Sequence, residues 1–298
     1  CIRDSRKTLP FIAPMFSRAA FGATLIAGFV GLFLASRQWD AFLAGFPYLA
    51  TPEGALFAIA SVVVLKILHE CGHGFVATYF GCRVRTVGIA FMVFAPMLYS
   101  DTSDVWRLKD SRKRLLVSAA GILVELAIAC WALLIWSFLP DGPLRHLFFV
   151  WATTAWILTL LINLNPLMRF DGYYILADAL DIPNLQNVSF ALGRWHLRWV
   201  LFGTNESRPQ DGPAHLTRFL IVFAYSVWIY RFSLFMGIAW LVYEHAFKLL
   251  GIFLAAVEIG WFIIRPVVSE LFSWWRTRER LGHPLILLRT FIVAVGLL

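Results

Sequence analysis

Apolar residues along this chain gather into runs that approach or exceed the roughly 18–20 residues needed to cross a bilayer core. Runs at about 19–36, 55–80, 115–138, 147–165, 218–242, 246–264 and from 285 onward predict an all-α multi-pass membrane protein of about six to seven transmembrane helices. Two stretches break the pattern. Residues 83–100 are apolar but short, partly β-branched and interrupted by Gly88 and Pro96. That suits a re-entrant segment or β-hairpin, which membrane depth tolerates only against protein or water. Residues 186–202 place Arg194, Trp195, Arg198 and Trp199 at spacings that suit an interfacial amphipathic helix. The polar run 203–213 reads as a loop, and its Asn205-Glu-Ser is a glycosylation sequon by pattern only.

Composition agrees with the pattern. The chain is 60% hydrophobic and 15% charged, with a mean hydropathy of +0.72, against roughly 45–50% apolar in soluble domains. We read one membrane domain over 1–298, with a core at about 55–180 and additional helices at about 218–298. The net charge of +8 does not call for nucleic acid, because basic residues usually mark cytoplasmic loops in such proteins. Arg3, Arg6, Lys7 and Arg18 precede the first span; Arg83, Arg85, Arg107, Lys109, Arg112, Lys113 and Arg114 follow the second; Arg276, Arg278 and Arg280 follow the sixth. Strict alternation puts all of them on one side, so the N-terminus is expected in the cytoplasm. Cys1, Cys71, Cys82 and Cys130 show no disulfide or zinc-ribbon spacing. A start at Cys1 and an end within an apolar run are expected of a piece of a longer chain; lipidation of Cys1 would need a signal peptide that is not present.

One span carries chemistry. Leu65-Lys-Ile-Leu-His-Glu-Cys-Gly-His73 contains His69-Glu70-x-x-His73. Residues four apart share a helix face, so both imidazoles can reach one metal ion. Glu70 is offset by about 100° from His69 and about 60° from His73, beside the metal and able to take a proton from water rather than ligate. Ionisable groups at bilayer depth are costly and by default mark function, which weighs against chance occurrence of the motif.

A catalytic zinc usually takes a third protein ligand. The other histidines, His146, His196, His215, His245 and His283, fall near span ends or in loops, where ordinary polar roles are expected. The better candidate follows the fourth span, in Asn163-Leu-Asn-Pro-Leu-Met-Arg-Phe-Asp-Gly-Tyr-Tyr174. Pro166 ends or kinks the helix, and Asp171 follows at a turn-like break. Counted from the outer ends of their spans, His69 lies roughly 21 Å deep and Asn163 roughly 24 Å deep, a similar level. The competing reading makes Asp171 a helix N-cap.

These motifs, His69-Glu70-x-x-His73 followed by Asn163-x-x-Pro166-x-x-x-x-Asp171-Gly172, resemble the site-2 protease family of intramembrane zinc metalloproteases. The string 165–174 is similar to a bacterial branch associated with periplasmic membrane-fusion-type domains and peptide maturation or export. The resemblance covers about 55–180. It implies that His69, His73 and Asp171 bind Zn2+, that Glu70 is the general base for a zinc-activated water, and that Asn163 holds the substrate carbonyl or its oxyanion. Residues 83–100 would take the substrate as an extended strand. It also implies a peptide or transmembrane-segment substrate and an export partner or membrane-fusion-type domain. Two departures stand out: Gly121-Ile122 replaces a Gly-Pro pair in the third span, and Arg169-Phe170 precede Asp171 in place of a Leu and a second proline. Arg169 would read a substrate carboxylate, or anchor to lipid phosphate or a nearby acid.

Lys66, Glu125, Arg231 and Glu258 also lie within spans. An Arg231–Glu258 pair is expected because both fall near mid-membrane and buried charges need partners; Lys66 and Glu125 receive no role. The rival to hydrolysis is a non-catalytic component of peptide export or maturation that keeps zinc for structure. A di-iron hydroxylase would need several histidine clusters, and this chain has one.

Overall fold

The structure is a computed structural model and describes residues 10, 12–92, 95–202, 207–265 and 268. Five described helices are long and apolar enough to cross a membrane. Four of them lie in the first of two compact units, residues 1–183. These are α1 (Arg18–Arg37), α2 (Pro52–Tyr79), α3 (Ser111–Phe138) and α4 (Pro143–Ile157), the last continuing as a π-helical turn over Leu158–Asn163. Their starts follow from local chemistry. Ser17, Thr51 and Asp110 accept from backbone amides at the openings of α1, α2 and α3, and Pro52 sits at the first turn, where its missing N–H costs nothing.

Small residues set how closely these helices approach. A Cβ on Gly31 of α1 would come within 2.9 Å of the Leu134 amide of α3, and one on Gly72 of α2 would come within 2.9 Å of Val124. Such close backbone approach is how helices associate where lipid removes the hydrophobic drive between them. The outer faces stay apolar: Phe29 is 72% exposed and Leu56 70%. Surface of that kind is stable against acyl chains and costly against water.

Within 83–100, two strands pair as the arms of a hairpin. Strands β1 (Val87–Met92) and β2 (Ala95–Ser100) pair antiparallel, with Val87 opposite Ser100 and Met92 opposite Ala95. Of the two sequence expectations for this stretch, the hairpin is the one observed. Helix α5 (Asp171–Ala179) follows the break after Asn163. The fourth span therefore leaves α-helical geometry before Pro166, in a π turn, a form that recurs at functional sites.

The second unit, residues 184–298, contains α6 (Leu185–Phe202), α7 (Ala214–His245) and α8 (Lys248–Glu258), the last continuing as a π-helical turn over Ile259–Ile264. Gly193 of α6 lets Ala224 and Trp228 of α7 approach, and His196 Nδ1 lies 3.0 Å from the Tyr225 hydroxyl. The sixth expected span is thus helical in two pieces. The span from 285 onward, the basic groups at 3–7 and 276–280, Asn205 and His283 lie outside the described residues. The Arg231–Glu258 expectation needs correcting: no such ion pair occurs among the described residues, and Arg231 instead lies over the Phe190 ring at 6.0 Å. Equal depth on two helices does not set the rotation that would turn the side chains toward each other.

Candidate metal centre

Helix α2 places His69 and His73 one turn apart on its buried face; they are 3% and 7% exposed. Asp171 opens α5 and points its carboxylate at both. His69 Nε2 is 2.9 Å from Asp171 Oδ2, His73 Nε2 is 3.4 Å from Oδ1, and the two Nε2 atoms are 3.2 Å apart. Phe170 is the N-cap of α5 and makes no side-chain cap, so Asp171 occupies the first helical position and does not cap. The break after Asn163 carries it back to the histidines. His69, His73 and Asp171 are the one group among the described residues with the makings of a metal site.

The protonation pattern follows from the neighbours. His73 Nδ1 lies 2.7 Å from the Val117 carbonyl, which can only accept. Nδ1 therefore carries a hydrogen, and in the neutral ring Nε2 is the lone pair. His69 Nδ1 lies 3.0 Å from Glu125 Oε1, short enough for an ion pair although not aligned as a full hydrogen bond. A bare nitrogen facing a carboxylate at that distance would be repelled, so this Nδ1 is also the protonated one. Asp171 Oδ2 is buried and accepts no hydrogen bond. With both rings neutral, their Nε2 lone pairs and the Asp171 carboxylate converge from α2 and α5 as a donor set for a cation.

Zinc fits that donor set. With bonds of about 2.0–2.1 Å, ligand atoms on a tetrahedral zinc stand roughly 3.3 Å apart. The observed separations of 2.9–3.4 Å bracket that spacing. Gly121 of α3 completes the cradle, because a Cβ there would lie 2.5 Å from Nε2 of each histidine. The residue that departs from a Gly-Pro pair in sequence thus keeps, as glycine, the half that bears on the site.

Glu70 follows His69 on α2, and its Oε2 accepts a 2.5 Å hydrogen bond from Ser100 Oγ at the end of β2. Asn163 is 4% exposed; its Nδ2 donates to Glu125 Oε2 at 2.6 Å and its Oδ1 accepts from Lys66 Nζ at 2.9 Å. Sequence reasoning gave Lys66 and Glu125 no role, yet they meet here, Nζ to Oε1 at 2.9 Å. Their signal was available: each is a charge inside a span. What hydropathy lacked was the pairing. His146 stacks on Tyr48 and His245 Nδ1 approaches the Leu241 carbonyl, roles unrelated to the cluster.

Helix α5 is held by a second polar group. Arg114 of α3 pairs with Asp178 at 3.2 Å and with Asp181, and its Nη1 donates to the Leu108 carbonyl. Ser118 Oγ donates to Asp178 Oδ2 at 2.7 Å. These contacts fix the far end of the helix that delivers Asp171.

Neither a curated protein nor a solved structure matches the chain significantly. A family model does match, over residues 57–142, the segment with both histidines, Glu70, Gly121 and Glu125. That model describes Peptidase family M50, and over this segment, under a third of the chain, the sequence is similar to that family of metallopeptidases.

Proposed function

We propose that the chain is an intramembrane zinc metalloprotease that hydrolyses a peptide bond in a membrane-embedded or membrane-delivered segment. The observation that carries this reading is the convergence of His69, His73 and Asp171, from two helices separated by about 100 residues of chain, at spacings that suit one metal ion. A zinc ion held by these three side chains would supply Lewis acidity and an acidified water. Glu70, next to the ligands yet outside the set, accepts the proton and returns it to the leaving amine. Ser100 keeps the carboxylate of that base in one orientation.

The substrate must give up helical hydrogen bonds before its carbonyl is reachable. The edge of the β1–β2 hairpin offers backbone groups that would hold it extended, and the same hairpin ends at Glu70 through Ser100. Asn163 has a second amide hydrogen beyond the one given to Glu125, and this would serve the substrate carbonyl or its oxyanion. The chain would act in a bacterial plasma membrane with its N-terminus in the cytoplasm, alongside a membrane-fusion-type domain or export partner.

The test combines metal content with turnover. In detergent, wild type should hold one zinc per chain, and His69→Ala and Asp171→Ala should lose it. Glu70→Gln should keep the zinc and lose cleavage of an unfolded protein substrate. Zinc without turnover in the wild type would favour the non-catalytic export role, and persistent cleavage by Glu70→Gln would remove Glu70 as the base.

A further inference from the structure

Glu125 is wholly buried, at 0% exposure, in the middle of α3. Four groups surround its carboxylate. Lys66 Nζ and His69 Nδ1 approach Oε1 at 2.9 Å and 3.0 Å; Thr159 Oγ1 and Asn163 Nδ2 donate to Oε2, each at 2.6 Å. An ammonium can only donate, so the Asn163 oxygen that meets Lys66 fixes the amide with its nitrogen toward Glu125. Every neighbour therefore presents a hydrogen. An ionised carboxylate accepts the three hydrogen bonds from Lys66, Thr159 and Asn163 and keeps a lone pair toward His69 Nδ1, whereas a carboxylic acid would bring one hydrogen too many.

We propose that Glu125 is a positioning residue for the metal centre, holding His69 with its Nε2 turned to the metal and tying that histidine to Asn163, with Lys66 as its counter-ion. This rests on the metalloprotease reading and extends it to residues outside the His69, Glu70, His73 and Asp171 set. A carboxylate behind a ligating histidine fixes the ring tautomer and raises its basicity. Here the same carboxylate reaches α2, where it meets Lys66 and His69, and the π turn after α4, where it meets Thr159 and Asn163. The π turn brings Thr159 and Asn163, four residues apart, onto one oxygen.

A purely structural Glu125 would matter for folding and leave metal affinity alone, so the decisive readout is affinity. Zinc dissociation constants would be measured by chelator competition on purified protein in detergent, for wild type, Glu125→Gln and the double variant Lys66→Met/Glu125→Met. The double variant removes the acceptor without leaving a buried lysine unpaired, so it serves if the single variant does not fold. Loss of a group of this kind weakens metal binding by about 10–100-fold, and the folded variants should fall in that range. Cobalt-loaded protein should also show a shifted visible absorption, because the His69 ring is no longer held. A folded variant that keeps wild-type zinc affinity and an unshifted cobalt spectrum overturns the proposal while leaving the protease reading intact. A wild type that binds no zinc overturns both.

Discussion

Ser100 Oγ donates to Glu70 Oε2 across 2.5 Å, so the last residue of β2 holds the residue that follows the first histidine. A hydrogen bond to a charged group contributes about 1.5–3 kcal/mol. The Ser100→Ala protein should therefore turn over an unfolded substrate about tenfold more slowly or worse, while still carrying one zinc per chain. Ser100→Thr keeps the hydroxyl and should recover most of the rate. Equal rates for wild type and Ser100→Ala would show that the contact does not matter to the base.

Gly121 leaves no room for a side chain beside the two imidazoles. Gly121→Ala places a methyl group where the ligand nitrogens must meet a metal ion. Zinc content measured after dialysis should drop to a small fraction of wild type, whereas Gly22→Ala, which meets nothing within 4 Å, should retain it. Full zinc occupancy in Gly121→Ala would mean that α3 yields easily and that the cradle is loose.

Arg114 and Asp178 form a buried pair that anchors α5; their side chains are 9% and 4% exposed. Removing one partner of a buried pair costs about 3–5 kcal/mol when the other is left without a counter-charge, and less here because Arg114 keeps Asp181 and the Leu108 carbonyl. Asp178→Ala should lower the thermal unfolding midpoint and weaken zinc retention, since α5 also delivers Asp171. Joint replacement of Arg114 and Asp178 by methionine and leucine should restore much of the stability. A stable Asp178→Ala protein would show that α5 is held by other contacts.

The loop between β2 and α3 lies outside the spans and responds to acid. The Arg83 amide donates to Asp104 Oδ2 at 2.9 Å, and this bond, with Arg107 nearby, holds the Asp104 carboxyl below the usual carboxylate range. A depressed folded value means the contribution is present above the unfolded value of about 3.9 and is lost as pH falls through the lower folded one. Hydrogen exchange at the Arg83 amide should stay slow at neutral pH and accelerate only at pH values well under 4. Asp104→Ala, which removes the acceptor, should exchange quickly at neutral pH already. Protection unaffected by the substitution would place the control of this loop elsewhere.

Much of the molecule was readable from residue order because its determinants are local. Span length, the apolar character of each run and the one-turn spacing of His69 and His73 depend only on helix geometry. The helix break near Pro166 follows from a residue that cannot continue a helix, and the hairpin at 83–100 from its short, β-branched, interrupted pattern. Depth arguments also put Asn163 at the level of the histidines, and in the structure it stands one residue, Glu125, away from His69.

What residue order alone determined, then, is which side chains lie at which depth and on which face of their own helix. Tertiary structure decided which of them meet. Lys66 and Glu125 are 59 residues apart in the chain and touch, whereas Arg231 and Glu258, matched in depth by the same reasoning, form no ion pair among the described residues. Contact between two spans depends on how each is rotated about its axis and how closely small residues let the backbones come. Those quantities are set by packing against third elements such as Gly72 and Gly121, and hydropathy along one segment carries no record of them.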